Sequence, residues 1–142
     1  MTTDDPYDLE RFLSAQEGDY GVALSELRAG RKRTHWMWFI FPQLAGLGRS
    51  DIARFYAISS LEEARAYLNH AILGPRLIEC AELVNCVENR TAHEIFGAPD
   101  DLKFHSSMTL FARAEPTERA FAEALVRYFG GVRDRLTEDG LR

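Results

Sequence analysis

Two stretches of the chain concentrate residue types that could do chemistry. In the first, Arg31-Lys32-Arg33 is followed by Thr34, His35, Trp36 and Trp38. Guanidinium forks fit phosphate and carboxylate in bidentate geometry, and an indole face can stack on a planar ring. Cations just before a helix N-terminus are unfavourable unless an anion lies between them and the free N–H groups. The pattern therefore predicts an anion site. Arg31, Lys32 and Arg33 would hold the charge, Trp36 or Trp38 would stack on a ring, and His35 would stand at the polar edge. The competing reading is a solvated basic turn leading into core aromatics, with an Asp or Glu from elsewhere in the chain as the anion. Gln43, an amide in a largely apolar stretch, needs a partner and is a further candidate for ligand contact.

The second stretch is Asp100-Asp101-Leu102-Lys103-Phe104-His105-Ser106-Ser107-Met108-Thr109. Asp101 and His105 are four apart and would share a helical face. A carboxylate beside an imidazole can orient it and raise its basicity, as a general base requires. Ser107 adds a hydroxyl and Lys103 a cation. A hydrolytic Ser-His-Asp set is not supported, because one helix seldom aims three groups at one atom and no Gly-x-Ser-x-Gly elbow is present. The structural alternative is helix capping by Asp100 or Asp101. Either Arg31 or Arg33 could also bridge to Asp100 or Asp101, which would make these charges architectural. No His-Glu-x-x-His, Cys-x-x-Cys, dinucleotide or phosphate-loop motif occurs, so no metal and no cofactor are predicted.

The elements that must position these groups read as helices. Asp8 is expected to cap a helix carrying Leu9, Phe12, Leu13 and Gln16, then Tyr20, Ala23, Leu24 and Leu27, with Gly30 as its stop. Thr34 is expected to cap a short helix that Pro42 ends. Ser50 or Asp51 starts another. Ser60-Leu61-Glu62-Glu63 and Thr91-Ala92-His93-Glu94 are capping boxes. Gly74-Pro75 opens what reads as the longest helix. Pro99 and Pro116 open two more. Residues 36–41 and 104–111 contain strand-favouring types, but no partner strand is evident, so they too are read as helix. The expectation is an all-α, compact single domain spanning 1–142, with seven or eight helices, several of them short. Residues 1–6 and 132–142 are expected to be loosely held.

The totals fit one ordinary domain. The chain has 142 residues, 46% hydrophobic and 27% charged, with net charge −5. That acidity disfavours nucleic acid as a general partner. Cys80 and Cys86 are separated by roughly 9 Å of helical rise, too far for a disulfide, and are read as reduced core thiols of a cytoplasmic protein. No apolar run approaches the ~20 residues of a membrane span. The oligomeric state is not legible.

Taken together, several segments resemble one family, called domain of unknown function 1810. They are Arg11-Phe12 with Ala15-Gln16, Leu27 to Arg33, His35 to Leu44, Gly46-Leu47-Gly48, Leu73 to Leu77, Ile95-Phe96-Gly97, and Asp100 to Lys103 with Ser106 to Phe111. The resemblance runs from about Tyr7 to Gly131. It implies an all-helical fold and no established activity. Phe104-His105 departs from the family pattern, which moves the candidate chemistry away from His105 toward His35, Arg31, Arg33, Asp101, Lys103 and Ser107. A fainter similarity of Glu63 to Phe111 is to small ADP-ribose N-glycosidase-like proteins.

Two functions are weighed. One is binding of an anionic, nucleotide-like small molecule, extending to action on ADP-ribose conjugates. Arg31, Lys32, Arg33, Trp36, Trp38, Gln43 and Lys103 would bind, and Asp101, His35 and Ser107 would do the chemistry. The other is a non-catalytic module whose same basic and aromatic surface takes an acidic protein segment or a nucleic-acid end. If either holds, Arg31, His35, Asp101 and Ser107 should meet at one open pocket.

Overall fold

The computed structural model describes residues 4–142. Among these, nine helices follow one another: α1 (Glu10–Arg28), α2 (Met37–Ile40), α3 (Asp51–Phe55), α4 (Leu61–Asn69), α5 (Leu73–Asn85), α6 (Ala92–Phe96), α7 (Asp100–Ala114), α8 (Arg119–Phe129) and α9 (Arg135–Gly140). The all-helical expectation holds, with one helix more than the upper count. The sole β feature among the described residues is an isolated bridge, Leu44 to Ile58. It ties the loop after α2 to the segment before α4 through Ala45 N–H to Ile58 O and Ile58 N–H to Gln43 O.

Capping chemistry sets most boundaries. The Ser50 hydroxyl accepts from Ala53 N–H at the start of α3, and Ser60 accepts from Glu63 N–H at the start of α4. The Thr91–Glu94 box is reciprocal, as its sequence predicts. The Ser60 box is not: Glu63 turns instead to the N–H and hydroxyl of Ser59, at 2.9 and 2.7 Å. At α1 the cap is Asp5, whose carboxylate accepts from Leu9 and Glu10 N–H. Asp8, the expected cap, sits at φ 52° within the preceding turn. The longest helix is α1, with 19 residues, and α5 has 13. His70 Nδ1 accepts from Ile72 and Leu73 N–H at the start of α5.

Helix α7 is the centre. It packs against α4, α6, α8 and α9, while α1 lies on α2 and α5. Phe104 and Phe111 are fully buried on it. Phe104 meets Phe41 edge-on at 5.0 Å and Phe96 in a stack at 4.7 Å, so α7 clasps both the α2 turn and α6. Helix α9 occupies part of the tail expected to be loose. Thr137 is fully buried, and Asp134 caps the helix through Thr137 N–H and hydroxyl. Residues 1–3 of the expected loose N-terminus lie outside the described residues.

Two buried polar clusters brace the bundle. All five guanidinium N–H groups of Arg11 are used. Nε donates to Phe55 O, Nη1 to Tyr7 O and Asp8 O, and Nη2 to Ala57 O and the Glu63 carboxylate. One side chain thus joins the N-terminal turn, the end of α3 and the start of α4. Gln16 is buried and donates to Phe39 O and Tyr67 Oη, while Arg76 donates to its carbonyl oxygen. Cys80 is buried as expected, but Cys86 is exposed just past the end of α5.

Candidate functional site

The anion demanded by the basic turn is supplied from within. Glu26, in the last turns of α1, accepts from Arg33 N–H (2.8 Å), Thr34 N–H (3.0 Å), the Thr34 hydroxyl (2.8 Å) and the Trp36 indole N–H (2.9 Å). Burial pushes this carboxyl up, but those four donors outweigh it and hold it at about 2. The turn's backbone donors are thereby spent, and Thr34, the expected helix cap, is one of them. Trp36 is 1% exposed. Its expected role as a stacking platform is corrected: the Glu26 bond and the Phe41 contact hold it in the core.

The three cations divide. Lys32 turns inward. Its N–H donates to Ile95 O, and its ammonium meets Asp100 at 2.8 Å and Thr34 O at 2.6 Å. The expected bridge to α7 is thus made by Lys32, not by Arg31 or Arg33. Arg31 and Arg33 are exposed, and neither side chain enters a hydrogen bond or ion pair among the described residues. Two carboxylates in the first turn of α7 suit its positive end, and Asp100 also holds Lys103 at 3.4 Å. The result is a Lys32–Asp100–Lys103 chain. Each ammonium lies over an indole, Lys32 over Trp36 and Lys103 over Trp38, both at 5.1 Å.

Unlike Trp36, Trp38 is only half-buried. Beside Lys103 opens a groove of ≈370 Å³, lined by Gln43, Leu47, Gly48, Pro99, Leu102, Lys103, Ser106, Asp134 and Leu136. Its walls are mainly apolar, and Leu102 and Leu136 at its rim are 64% and 66% exposed. The Leu44–Ile58 bridge fixes one wall by engaging the Gln43 backbone, while the Gln43 side chain has no protein partner among the described residues. On the opposite wall Asp134 Oδ2 is occupied by Ser106 and Thr137. Of the expected ligand residues, the structure brings Gln43 and Lys103 to this groove; Trp38 does not line it and reaches it only through its contact with Lys103.

The expected catalytic residues do not join them. None of Arg31, His35, Asp101 and Ser107 lines this groove. Asp101, in the first turn of α7, accepts from the adjacent Leu102 N–H and pairs with His93, not with His105; α7 has no side-chain cap. His105 instead stacks on Phe129 at 4.0 Å and bonds Val132 O. Ser107 is fully buried, its hydroxyl without a partner, so it offers no surface to a substrate. His35 is exposed and apart from both carboxylates' hydrogen bonds. Leu102, Leu136 and Asp134 were missed from the sequence. The available signal was Leu136, one of three large apolar residues, with Val132 and Leu141, in a largely charged tail. No group of three or more His, Cys, Asp or Glu among the described residues could hold a metal ion, and no helix among them is long and apolar enough to cross a membrane.

Fold and groove define a small all-helical domain with a polar-edged apolar cleft. The chain belongs to the family described as Protein of unknown function (DUF1810), whose model matches residues 6–141. A crystal structure of the conserved hypothetical protein Rv1873 from Mycobacterium tuberculosis is 60% identical to it. That likeness covers 96% of this chain and 98% of that chain, with a TM-score of 0.95. No match to the chain is found among curated proteins.

Proposed function

We propose that this domain binds a small anionic molecule carrying a flat ring, nucleotide-like in character, in the groove beside Trp38. The observation that carries the reading is the meeting of Gln43 and Lys103 on the walls of one ≈370 Å³ apolar groove, with Trp38 lying under the Lys103 ammonium. An apolar cleft with a few convergent polar groups is the usual form of a ligand site, and this volume sits near the lower end of the ordinary range. Lys103 supplies the charge, Gln43 an amide free to choose donor or acceptor, and Leu102 and Leu136 the apolar walls. The size favours one ring with one charged group, such as a nucleoside monophosphate, over an extended dinucleotide.

Binding, not turnover, is the better-supported half of the reading. The carboxylate nearest the groove, Asp134, is committed to capping α9, and Asp101 is committed to α7 and His93. ADP-ribose and its conjugates remain the first substrates to try, because they combine a ring with phosphate. Calorimetric titration with AMP, ADP-ribose and NAD is the test, on the wild type and on Lys103→Ala and Gln43→Ala. Saturable binding that both variants weaken supports the reading. No heat at millimolar ligand with folded protein, or binding that both variants retain in full, defeats it.

A further inference from the structure

We infer that the outward edge of the basic turn, Arg31 and Arg33, is a docking surface for an extended acidic protein segment. The argument begins with alternation. From Arg31 to Arg33 the chain is neither helix nor turn, and its side chains point out, in, out. Arg31 and Arg33 are exposed, while the Lys32 side chain between them is 6% exposed and seated on Asp100. In extended chain, side chains two apart share a face and stand roughly 7 Å from each other. Carboxylates at alternate positions of an extended acidic segment repeat at that same interval, and each could take one guanidinium fork.

The surface is also held ready. Arg31 N–H donates to Glu26 O, Lys32 N–H to Ile95 O, and Arg33 N–H to the Glu26 carboxylate. Three successive backbone groups are pinned between α1 and α6, so the two arginines start from a fixed base and lose little backbone freedom on binding. More charge stands beside them. Arg28 is exposed in the last turn of α1. Arg90 passes over the Gly30 turn, its Cδ and Nε 3.6 Å from where a Gly30 Cβ would stand. None of the four enters an ion pair among the described residues, in a chain whose net charge is −5.

The chemistry of the edge selects the class of partner. Its backbone N–H groups are spent on Glu26 and on main-chain carbonyls, so no nest remains to seat a free phosphate. Trp36 is buried beneath it, so no aromatic face is offered to a base, which single-stranded nucleic acid would use. What remains is two exposed guanidinium groups on alternate residues, Arg31 and Arg33, suited to side-chain carboxylates. This surface is separate from the groove at Lys103 and does not rest on that reading.

The test uses a fluorescent peptide of about twelve residues with Glu alternating with Ser, and a peptide of the same composition with its Glu residues in one block. Binding is read by anisotropy between low and high salt. Arg31→Glu/Arg33→Glu is compared with Arg135→Glu/Arg142→Glu, which carries the same change of charge on an exposed edge far along the chain. The alternating peptide should bind the wild type and the control pair alike, and lose about tenfold or more with Arg31→Glu/Arg33→Glu. Its affinity should fall as salt shortens the screening length from about 10 Å at 0.1 M to about 3 Å at 1 M. Thermal melts should leave both double variants folded, since neither pair of side chains is buried. No binding at low salt, an equal loss in the control pair, or no preference for the alternating peptide would overturn the proposal. So would an oligonucleotide or pyrophosphate that outcompetes the peptide at equal charge through Arg31 and Arg33.

Discussion

Replacing Arg11 by Met should be among the most damaging single changes in the protein, although Arg11 touches no candidate ligand. The Arg11–Glu63 pair is nearly closed to solvent, with side chains 9% and 4% exposed and a contact of 2.9 Å. Removing the guanidinium strands a carboxylate that keeps Ser59 as its remaining partner. Loss of one member of a buried pair costs about 3–5 kcal/mol, because the other charge stays desolvated. Of the four freed carbonyls, those of Asp8 and Phe55 are at the surface and those of Tyr7 and Ala57 are only partly buried, so they can recover water and add little. For a chain of this length that cost corresponds to a fall in melting temperature of roughly 10–15 °C. Circular dichroism melts and urea titrations at neutral pH measure it, and an unchanged m-value shows that the same surface unfolds. Arg11→Met/Glu63→Met should regain much of the loss, since apolar replacement of a whole buried pair is often near neutral. Arg11→Lys should fall between, because one ammonium cannot reach all three segments. A cost below about 1 kcal/mol for Arg11→Met, or a double variant as weak as the single, would refute the reasoning.

Further predictions follow from other parts of the fold. Glu26 sits at about 2 instead of the ordinary 4.5, so its contribution is complete above about 4.5 and drains away as pH falls toward 2. The melting temperatures of wild type and Glu26→Gln should therefore differ at neutral pH and converge on acidification; a gap that persists at pH 2 contradicts this. Gly74→Ala would place a Cβ 2.0 Å from the Leu68 carbonyl oxygen. Where helix propensity alone predicts a small gain, a loss of about 2 kcal/mol or more is expected in denaturant unfolding. Burial, and then Glu79, push the Cys80 thiol up to about 12, while Cys86 is exposed. Iodoacetamide should label one thiol quickly in the native protein and the second only on unfolding, as mass spectrometry will show; rapid labelling of both would contradict the packing of α5.

The fold was largely legible because its signals are local. Ser50, Ser60 and Thr91 cap helices from adjacent positions, and Pro42 and Gly30 end them, so short windows of sequence suffice. The site was less legible because its partners are distant or ambiguous. Nothing in the spacing distinguishes Trp36 from Trp38, two apart at the start of a four-residue helix. Which one faces the core depends on Glu26, which reaches across from α1. The anion implied by Arg31 to Arg33 was correctly required, and an internal acid was one of the readings, but its identity as Glu26 rests on a contact across the turn. In the same way, which of the three cations turns inward to Asp100, Lys32 and not a flanking arginine, is set by contacts with α6 and α7 that the spacing does not show. Arg11 stood in the sequence only as part of the Arg11-Phe12 segment, and its burial rests on partners as distant as Phe55, Ala57 and Glu63.

The claim that Gln43 and Lys103, with Trp38 beside Lys103, edge a ligand groove is tested most directly by two-dimensional nitrogen–proton NMR during titration with AMP. The two tryptophans give two indole signals, one from the core and one from the half-buried ring beside Lys103. The account predicts saturable shifts of the Trp38 indole and the Gln43 side-chain amide, with Trp36 unmoved and the shifts lost in Lys103→Ala. Unshifted signals at millimolar AMP, or shifts confined to the turn at Arg31 and Arg33, would contradict it.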